Sequence, residues 1–455
     1  MTSLISYPCG PISGSVRVPG DKSISHRALI LAALAVGMTR IRGLSTGDDV
    51  HRTARALAGL GVHVHEDGDG QYQVHGVGIG GLRSPGDILD LGNSGTAARL
   101  MLGVLATHPL TAVLSGDASL RSRPMDRVLA PLASMGARFS TAGGGRLPIT
   151  ISGTDDPIAI DYRLPVASAQ VKSAILLAGL AAPGRTTVIE PTPTRDHTEI
   201  LLDLFGAEIE TVCEADGTRT IGLTGEPELR ACDVNVPGDF SAAAFALVAA
   251  ALAPGSQVTV DDVGLNPLRT GLIRTLHDMG ADLDVSPNAP GAGETTGRIT
   301  ARHARLRGIE VPAERGPSMI DEFPVLAVAA ACAEGTTVMR GLSELRVKES
   351  DRLDAIAQGL AACGVEVRQT DDGLIIHGCG GPVPGGAKVA SRSDHRIAMA
   401  FAVLGMAAQA PIQVDDAAMI ETSFPGFAAL MNSLGARIEA VDTGGTNDGK
   451  AGPRA

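Results

Sequence analysis

The sequence predicts an α/β protein of two domains, each made of three βαβαββ units, and two repeated patterns support this fold class. In the first pattern, a Gly suited to a helix C′ position ends a helical stretch and opens an alternating strand, at residues 61, 136, 206, 280, 364 and 435. In the second, a short polar turn opens an Ala-rich apolar stretch, at Asp21, Asn93, Ser168, Asp239, Asp321 and Asp394. Both patterns recur every 70 to 84 residues, which is long enough for each copy to be a small α/β unit.

Each unit contains two helices of different character. The Ala-rich helix is apolar nearly all round and is predicted to be buried, whereas the other helix is amphipathic and is predicted to face solvent. A Gly and a β-branched strand follow most of the Ala-rich helices, for example Val258-Thr259-Val260. The longest apolar run, residues 242–253, is too short to span a bilayer, so we expect a buried helix there and no membrane partner.

Six units exceed one hydrophobic core, so we divide them three and three. The division falls where residues 234–238 repeat the pattern of residues 16–20, each ending in Pro-Gly. We therefore expect one domain over 20–235 and a second over 1–19 and 236–455, with the chain crossing twice between them. The strand at 13–18 then belongs to the second domain. The tail, 442–455, is rich in Gly, Thr and charge and is predicted to be disordered.

Composition narrows the class of partner. The net charge of −12 and the aromatic content of 2% argue against a nucleic-acid partner. The six cysteines are scattered, without a C-x-x-C pair or zinc spacing, so we expect mostly buried, reduced thiols and no metal site. The first fourteen residues lack a basic region followed by an apolar one, so no signal peptide is expected. These features predict a cytoplasmic protein.

The stretch 19–27 supplies the first candidate site. Asp21 or Ser23 is suited to cap a helix predicted over 27–36, and Lys22, Ser23 and Arg27 fall within about one helical turn. Two cations, a hydroxyl and the free N–H groups of a helix start suit a phosphate or carboxylate. An ordinary capped helix with solvated charges has the same composition. Recurrence of the arrangement along the chain favours the anion site.

Units two and three contribute similar groups. Gly95 allows a ligand close to the backbone, and Arg123 precedes a helix predicted over 125–135. Ser168, Ala169 and Gln170 place hydroxyl and amide groups at another helix start. Plain surface loops would also contain glycine, hydroxyl and amide residues of this kind. If the Ala-rich helices are parallel within each domain, all their positive ends face one cleft between the domains, which suits an anionic ligand.

Units five and six carry the densest charge. Asp321 opens a helix predicted over 323–333, the run 346–352 alternates in sign, and residues 393–396 read Ser-Asp-His-Arg. Such a run is often a solvated face with i,i+4 pairs, but a buried helix start lies in the same unit. Asp321 and Glu349 are suited to act as base and acid if the cleft shifts their pKa values apart.

Four motifs resemble the 5-enolpyruvylshikimate-3-phosphate (EPSP) synthase family, over about residues 12 to 435. They are P-G-D-K-S-I-S-H-R at 19–27, L-G-N-S-G-T-A-A-R at 91–99, R-V-K-E-S-D-R at 346–352 and D-H-R at 394–396. The resemblance implies a two-domain inside-out α/β barrel with a pseudo-threefold axis in each domain. It also implies transfer of the enolpyruvyl group of phosphoenolpyruvate (PEP) to the 5-hydroxyl of shikimate 3-phosphate, through a tetrahedral ketal and with no cofactor or metal.

The resemblance also implies roles for named residues. Those that bind shikimate 3-phosphate are Lys22, Ser23, Arg27, Ser168, Ala169, Gln170, Arg195, Asp321 and Lys348. Those that bind PEP are Lys22, Gly95, Arg123, Gln170, Arg352 and Arg396. Asp321 is expected to take the proton of the 5-hydroxyl, and Glu349, together with Lys22, to protonate the PEP methylene. The family further implies a monomer.

Some positions depart from the best-known form of the family. Ala169 stands where a second Ser is common, Arg195 replaces a Ser and Tyr region, and Glu421 to Pro425 lacks the usual Lys. These departures resemble the second, glyphosate-tolerant class of bacterial EPSP synthases. That class carries an Ala at the position of Gly95, so we expect this chain to be more sensitive to glyphosate.

Two other functions fit parts of the pattern. UDP-N-acetylglucosamine enolpyruvyl transferase shares the fold and the donor, but uses a loop cysteine, and residues 94–122 contain none. A catalytically inert repeat protein that only binds anions is the second alternative. It predicts ligand binding without turnover.

Overall fold

The structure is a computed structural model that describes residues 2–68, 70–289, 291 and 293–442. Of the tail predicted to be disordered, residues 443–455 lie outside the described residues, and residue 442 ends a strand. The α-helices are α1 (Lys22–Leu34), α2 (Asp48–Gly59), α3 (Gly95–Ala106), α4 (Ala118–Ser122), α5 (Asp126–Ser134), α6 (Ala169–Gly179), α7 (His197–Leu204), α8 (Phe240–Leu252), α9 (Gly271–Asp278), α10 (Phe323–Cys332), α11 (Arg352–Ala362), α12 (His395–Met406) and α13 (Phe427–Ser433). Short 3-10 helices lie at Ala313–Ser318, Ser343–Val347 and Ala417–Thr422.

The strands form small sheets on the outside of these helices. Those up to residue 235 are β1 (Thr2–Tyr7), β2 (Ser13–Val16), β3 (Val36–Arg42), β4 (His63–Gly68), β5 (Gln71–Val77), β6 (Leu89–Asp90), β7 (Thr111–Ser115), β8 (Arg138–Thr141), β9 (Ile149–Ser152), β10 (Asp161–Arg163), β11 (Arg185–Glu190), β12 (Ile209–Cys213), β13 (Arg219–Thr224) and β14 (Val234–Asn235). Those after it are β15 (Gln257–Gly264), β16 (Asp282–Pro287), β17 (Thr296–Arg302), β18 (Glu310–Val311), β19 (Glu334–Met339), β20 (Glu366–Gln369), β21 (Leu374–Cys379), β22 (Val383–Gly385), β23 (Lys388–Val389), β24 (Ala408–Ala410), β25 (Ile412–Val414) and β26 (Arg437–Asp442).

Six four-stranded sheets of the described chain share one topology, a parallel edge strand followed by three antiparallel strands. Their strand orders are β14-β3-β5-β4, β6-β7-β9-β8, β10-β11-β13-β12, β2-β15-β17-β16, β18-β19-β21-β20 and β23-β25-β1-β26. A short sheet pairs β22 with β24. The predicted βαβαββ repeat is therefore confirmed, six times over.

Two edge strands have exchanged sheets. Strand β2 leads into α1 but pairs with β15, whereas β14 leads into α8 but pairs with β3. The two connections run side by side, since Asp21 N donates to Pro237 O at 2.8 Å and Asp239 N donates to Pro19 O at 2.8 Å. The chain thus crosses at both Pro-Gly dipeptides.

Among the described residues, the buried apolar side chains form two separate clusters. One extends from Ile24 to Val236, and the other combines Leu4, Ile12 and Val18 with residues from Phe240 to Ile438. We propose that these clusters are the cores of the two domains, which keeps the boundaries 20–235 and 1–19 with 236–455 as our assignment. Within each cluster the Ala-rich helices contact one another, α1 with α3 and α3 with α6, and α8, α10 and α12 mutually.

The helices follow their sequence patterns closely. Helix α10 is buried along its whole length, while α5 buries one face through Val128, Leu129 and Leu132. All six repeated glycines have positive φ, between 81° and 111°, as a residue after a helix end requires.

The start of α1 was predicted too late. The helix begins at Lys22, not at residue 27, and Asp21 caps it by accepting a hydrogen bond from Ile24 N at 2.9 Å. Polar residues fill the first turn because that turn faces the cleft, so the apolar pattern began only one turn further on. Helix α10 begins at Phe323, as predicted, with Glu322 in the N-cap position, and Ser94 caps α3.

Candidate active site

The starts of the six Ala-rich helices are connected to one another by hydrogen bonds. Ser94 Oγ, at the start of α3, contacts His26 in α1 at 3.3 Å, and Gln170 at the start of α6 donates to Thr96 Oγ1 at 3.0 Å. Lys22 N in α1 donates to the Asp239 carboxylate at the start of α8, at 3.3 Å.

The remaining links lie in the second cluster. Ser241 at the start of α8 donates to Glu322 at the start of α10, and Arg396 in α12 donates to Asp321 O at 3.5 Å. The six positive helix ends therefore meet where the two clusters face each other, and we call this region the cleft.

The first two turns of α1 present three of the predicted site residues. Arg27 is buried and donates to Ser23 O at 2.9 Å and to Thr198 Oγ1 at 2.6 Å. Burial lowers the pKa of Arg27 to about 10, so it stays charged at neutral pH. The Lys22 ammonium forms an ion pair with the buried carboxylate of Asp49. These contacts fix two cations beside the Ser23 hydroxyl.

Gly95 and Arg123 lie together at the start of α3. A Cβ added to Gly95 would lie 3.1 Å from Arg123 Nη1 and 2.7 Å from Arg99 Nη1, so a side chain here would crowd the two guanidinium groups. Arg123 is 6% exposed, and donates to Asn93 Oδ1 and to Ser119 Oγ at 3.2 Å. The absence of a side chain at residue 95 keeps the helix start and the Arg123 head group clear of a Cβ atom.

The start of α6 lies beside these groups. Ser168 Oγ caps the helix, accepting from Val171 N at 3.4 Å, and Ala169 O accepts from Ser173 Oγ at 2.6 Å. Ser173 Oγ in turn accepts from Arg27 Nη2 at 2.7 Å. Residues 168–170 therefore adjoin both Arg27 and, through Gln170, the first turn of α3.

Arg352 is the centre of the second half of the site. It is 1% exposed, and its Nε donates to Asp394 at 2.8 Å while its Nη2 donates to Glu349 at 2.6 Å. Its Nη1 lies 3.4 Å from Asp321, whose other oxygen accepts from Arg195. Arg396 Nε lies 3.8 Å from the same Asp321 carboxylate. Three arginines thus surround Asp321.

Ion pairs join the two halves across the cleft. Arg195 follows β11 in the first cluster and reaches both Ser23 Oγ, at 3.4 Å, and Asp321. Arg123 Nη1 lies 3.5 Å from Glu349. The two predicted catalytic carboxylates therefore come from one half and share arginines with the other.

The cations govern the protonation of these carboxylates. Burial alone would raise the pKa of Asp321, but Arg396, Arg195 and Lys348 outweigh it and hold that pKa well below its usual range. Burial is likewise outweighed at Glu349, where Arg352 and Arg123 hold the pKa well below its usual range. Burial also lowers the pKa of Lys348. The two carboxyl pKa values shift in the same direction, so the expected separation between them is not seen.

The structure brings all the predicted site residues into this cleft, but it also shows partners that the sequence analysis missed. Asp394 holds Arg352, and Arg269 joins Asp239 at 3.4 Å to Glu322 at 2.8 Å. Asp394 lay within the D-H-R motif and could have been chosen there. Arg269 stands alone between elements, so no local pattern marked it.

Three further expectations concern metal-binding groups, membrane-spanning helices and the cysteines. Among the described residues no group of three or more His, Cys, Asp or Glu is placed to hold a metal ion. No helix there is long and apolar enough to cross a membrane. All six cysteines are free, as predicted, but only Cys332 and Cys363 are buried, so the expectation of mostly buried thiols was wrong.

Comparison with known proteins gives a consistent set of matches. The family model for EPSP synthase (3-phosphoshikimate 1-carboxyvinyltransferase) matches residues 7–431. A 3-phosphoshikimate 1-carboxyvinyltransferase of Parvibaculum lavamentivorans is 58% identical over 435 residues, covering 96% of each chain. That of Granulibacter bethesdensis is 60% identical over 422 residues, covering 92% of this chain and 93% of the other.

Solved structures extend the likeness to the fold. EPSP synthase from Acinetobacter baumannii superposes with a TM-score of 0.86 and 43% identity, over 97% of this chain and 100% of the other. The enolpyruvyl transferase NikO from Streptomyces tendae, at 20% identity, shares the fold with a TM-score of 0.75, over 97% of this chain and 99% of the other.

Proposed function

Because this chain belongs to the EPSP synthase family and transfers the enolpyruvyl group of PEP to the 5-hydroxyl of shikimate 3-phosphate, we propose that the cleft between the two clusters is its active site. One observation carries this proposal. Arginines from both halves converge on Asp321 and Glu349 at the meeting point of the helix starts. Two anionic substrates need such a concentration of positive charge to bind side by side.

Shikimate 3-phosphate is assigned to the side formed by α1 and α6. Arg27 donates to Ser23 O and Arg195 donates to Ser23 Oγ there, so two guanidinium groups lie beside one hydroxyl, which suits a phosphate that accepts from several donors. Ser168, Ala169 and Gln170 line the same side, and Lys348 approaches it from the second half. Arg195 offers the 3-phosphate a charge where the family more often has hydroxyl groups.

PEP is assigned to the side formed by α3 and α12. Arg123, Arg352 and Arg396 supply planar N–H pairs suited to its phosphate and carboxylate, and Gly95 leaves room for it against the helix start. Lys22 and Gln170 lie between the two substrates. Binding on both sides aligns the 5-hydroxyl with the enol carbon of PEP.

Asp321 is the proposed base. Its low pKa keeps it deprotonated, and bound anions offset the arginine charge around it, which raises its basicity once both substrates are present. It then accepts the proton of the 5-hydroxyl as the oxygen attacks the enol carbon.

Glu349 is the proposed acid. Its proton adds to the methylene carbon of PEP, which gives the tetrahedral ketal with both groups attached. Anion binding at Arg352 and Arg123 raises its pKa in the same way, since these arginines hold it low. Lys22 is the alternative donor, although its ammonium is held by Asp49. Proton transfers in reverse then expel phosphate.

The two alternatives from the sequence are not favoured, because the matching relatives are 3-phosphoshikimate 1-carboxyvinyltransferases. We further propose a cytoplasmic monomer, on the basis of the six free cysteines and the family resemblance. Light scattering during gel filtration measures the mass directly, and the mass of a dimer would contradict the proposal of a monomer.

Phosphate release tests the activity and the site together. The purified protein with PEP and shikimate 3-phosphate should release phosphate and form EPSP, detected by mass spectrometry. UDP-N-acetylglucosamine in place of shikimate 3-phosphate should give no product. Binding of both ligands without phosphate release would favour the inert anion-binding protein.

A further inference from the structure

A buried lysine lies directly behind the shikimate 3-phosphate side of the cleft. Lys172 in α6 is 0% exposed, and its ammonium lies 2.9 Å from Glu190 and 2.7 Å from Glu199. It also donates to Thr194 O at 3.4 Å, and Thr194 Oγ1 donates to Glu190. We call Lys172, Glu190, Thr194 and Glu199 the Lys172 cluster. None of the four was among the predicted site residues.

The cluster connects three chain segments, each of which also carries either Arg195 or a residue that accepts a hydrogen bond from Arg27. In α6, Lys172 is followed by Ser173, which accepts from Arg27 at 2.7 Å. After β11, Thr194 is followed by Arg195, which reaches Ser23 and Asp321.

In the first turn of α7, Glu199 is preceded by Thr198, which accepts from Arg27 at 2.6 Å. Lys172 and its two cluster partners Thr194 and Glu199 are therefore each adjacent in sequence to a residue on the side of the site. These neighbours are Ser173 and Thr198, which contact Arg27, and Arg195 itself. The spacing of these three neighbours is set by the contacts inside the cluster.

The charges of the cluster also act on the site. Burial opposes the charge of Lys172, but Glu199 and Glu190 outweigh it and raise the pKa of the lysine. Within the cluster, Glu199 opposes the burial that lowers the pKa of Arg27. Glu199 therefore joins Asp21 and Glu294 in stabilising the charge of the buried Arg27.

We propose that Lys172 is a positioning residue for the acceptor substrate. It holds the 191–196 loop and the start of α7 against α6, and so fixes Arg195 and Arg27 at the spacing that the 3-phosphate requires. This rests on the proposed function, in which those two arginines bind shikimate 3-phosphate. Lys172 does not touch either substrate.

The test compares Lys172→Met, Arg195→Gln, the double variant and Ile175→Val. Lys172→Met keeps the length of the side chain and removes its charge. Ile175 is a fully buried apolar residue one turn along the same helix, so Ile175→Val is a matched packing control. The KM for each substrate, kcat and the unfolding midpoint are measured for every variant.

We expect Lys172→Met to raise the KM for shikimate 3-phosphate by about tenfold and the KM for PEP by less than about twofold. Ile175→Val should change neither KM, although it lowers the unfolding midpoint. Because Lys172 acts in part through Arg195, its effect should be smaller in the double variant than in the single one. If Lys172→Met lowers the unfolding midpoint while both KM values stay or rise together, its role is structural and the inference is wrong.

A failure of the proposed function would give a different set of KM values. If Arg195→Gln leaves the KM for shikimate 3-phosphate unchanged, the assignment of that side of the cleft is wrong. If Arg195→Gln raises it and Lys172→Met does not, only the positioning role is wrong. Should Lys172→Met not fold, Thr194→Val removes one hydroxyl contact of the cluster at nearly constant shape, and should raise the same KM by about threefold; an unchanged KM would contradict the inference.

Discussion

Replacing Asp321 with Asn separates chemistry from binding in this site. The carboxylate accepts from Arg195, lies 3.4 Å from Arg352 Nη1 and lies 3.8 Å from Arg396 Nε. Asn keeps the shape and one acceptor oxygen but can no longer take the proton of the 5-hydroxyl. Loss of a general base costs about 10²- to 10⁴-fold in rate, equivalent to about 3 to 5 kcal/mol in the transition state.

Substrate binding should be unchanged or stronger in this variant. The substitution removes a negative charge from among three arginines, so the local potential becomes more positive and neither anion should bind more weakly. We therefore expect kcat to fall by at least about 100-fold while the dissociation constants of PEP and shikimate 3-phosphate stay level or decrease. Phosphate release measures kcat, and calorimetry measures the two affinities.

Asp282→Asn is the control. Asp282 is an exposed residue of β16 that pairs with Arg302 at 3.4 Å, so its loss also removes a carboxylate from an arginine. It should leave kcat unchanged. A kcat for Asp321→Asn within about threefold of the parent, or a fall explained by weaker binding alone, would refute the role of Asp321 as base.

Three further predictions follow from individual contacts. Gly95→Ala places a methyl group 3.1 Å from Arg123 Nη1, so the inhibition constant of glyphosate should rise by more than about tenfold and the KM for PEP by less; an unchanged inhibition constant would contradict the steric argument. Arg123→Gln should raise the KM for PEP by at least about tenfold and leave that for shikimate 3-phosphate nearly constant, whereas equal changes in the two would remove Arg123 from the PEP side. Burial, aided by Lys22 and Arg27, lowers the pKa of His26 well below its ordinary value of 6.5. Below about pH 6.5 the unfolded chain therefore binds a proton that the folded chain does not. The stability present above about pH 6.5 is lost as the pH falls. His26→Asn should therefore reduce the fall in unfolding free energy between pH 6.5 and 5 by up to about 1.4 kcal/mol per pH unit, and parallel curves for the two proteins would show that His26 does not titrate as described.

Much of the fold could be predicted because its signals are local and repeated. A Gly after a helix end must adopt positive φ, and it does so at all six repeats from Gly61 to Gly435. An Ala-rich stretch such as α10 has no polar face to leave in solvent. These constraints act within a few residues, so the sequence reveals them without knowledge of which residues pack together in the folded protein.

The parts that could not be predicted depend on neighbours distant in sequence. The first turn of α1 is polar because it faces the cleft, and the apolar pattern therefore placed its start too late. The ion pairs of Arg269 and Lys172 join segments 18 to 53 residues apart, and no pattern within either segment signals them. The shared downward shift of the Asp321 and Glu349 pKa values likewise comes from arginines brought together only by the fold.

The candidate site was nonetheless found from sequence because each Ala-rich helix begins with the same kind of polar turn. Helix starts offer free N–H groups, and repetition indicated that they have a common purpose. The assignment of each residue to one substrate came from the resemblance to the EPSP synthase family. That assignment stays a prediction for this chain.

A crystal structure of the Asp321→Asn variant with both substrates tests the central claim most directly, since slow turnover should preserve them. We expect the 3-phosphate to lie against Ser23, Arg27 and Arg195. We expect PEP to lie against Arg123, Arg352 and Arg396, with the 5-hydroxyl facing residue 321. Either substrate bound outside this cleft, or the two exchanged between its sides, would contradict it.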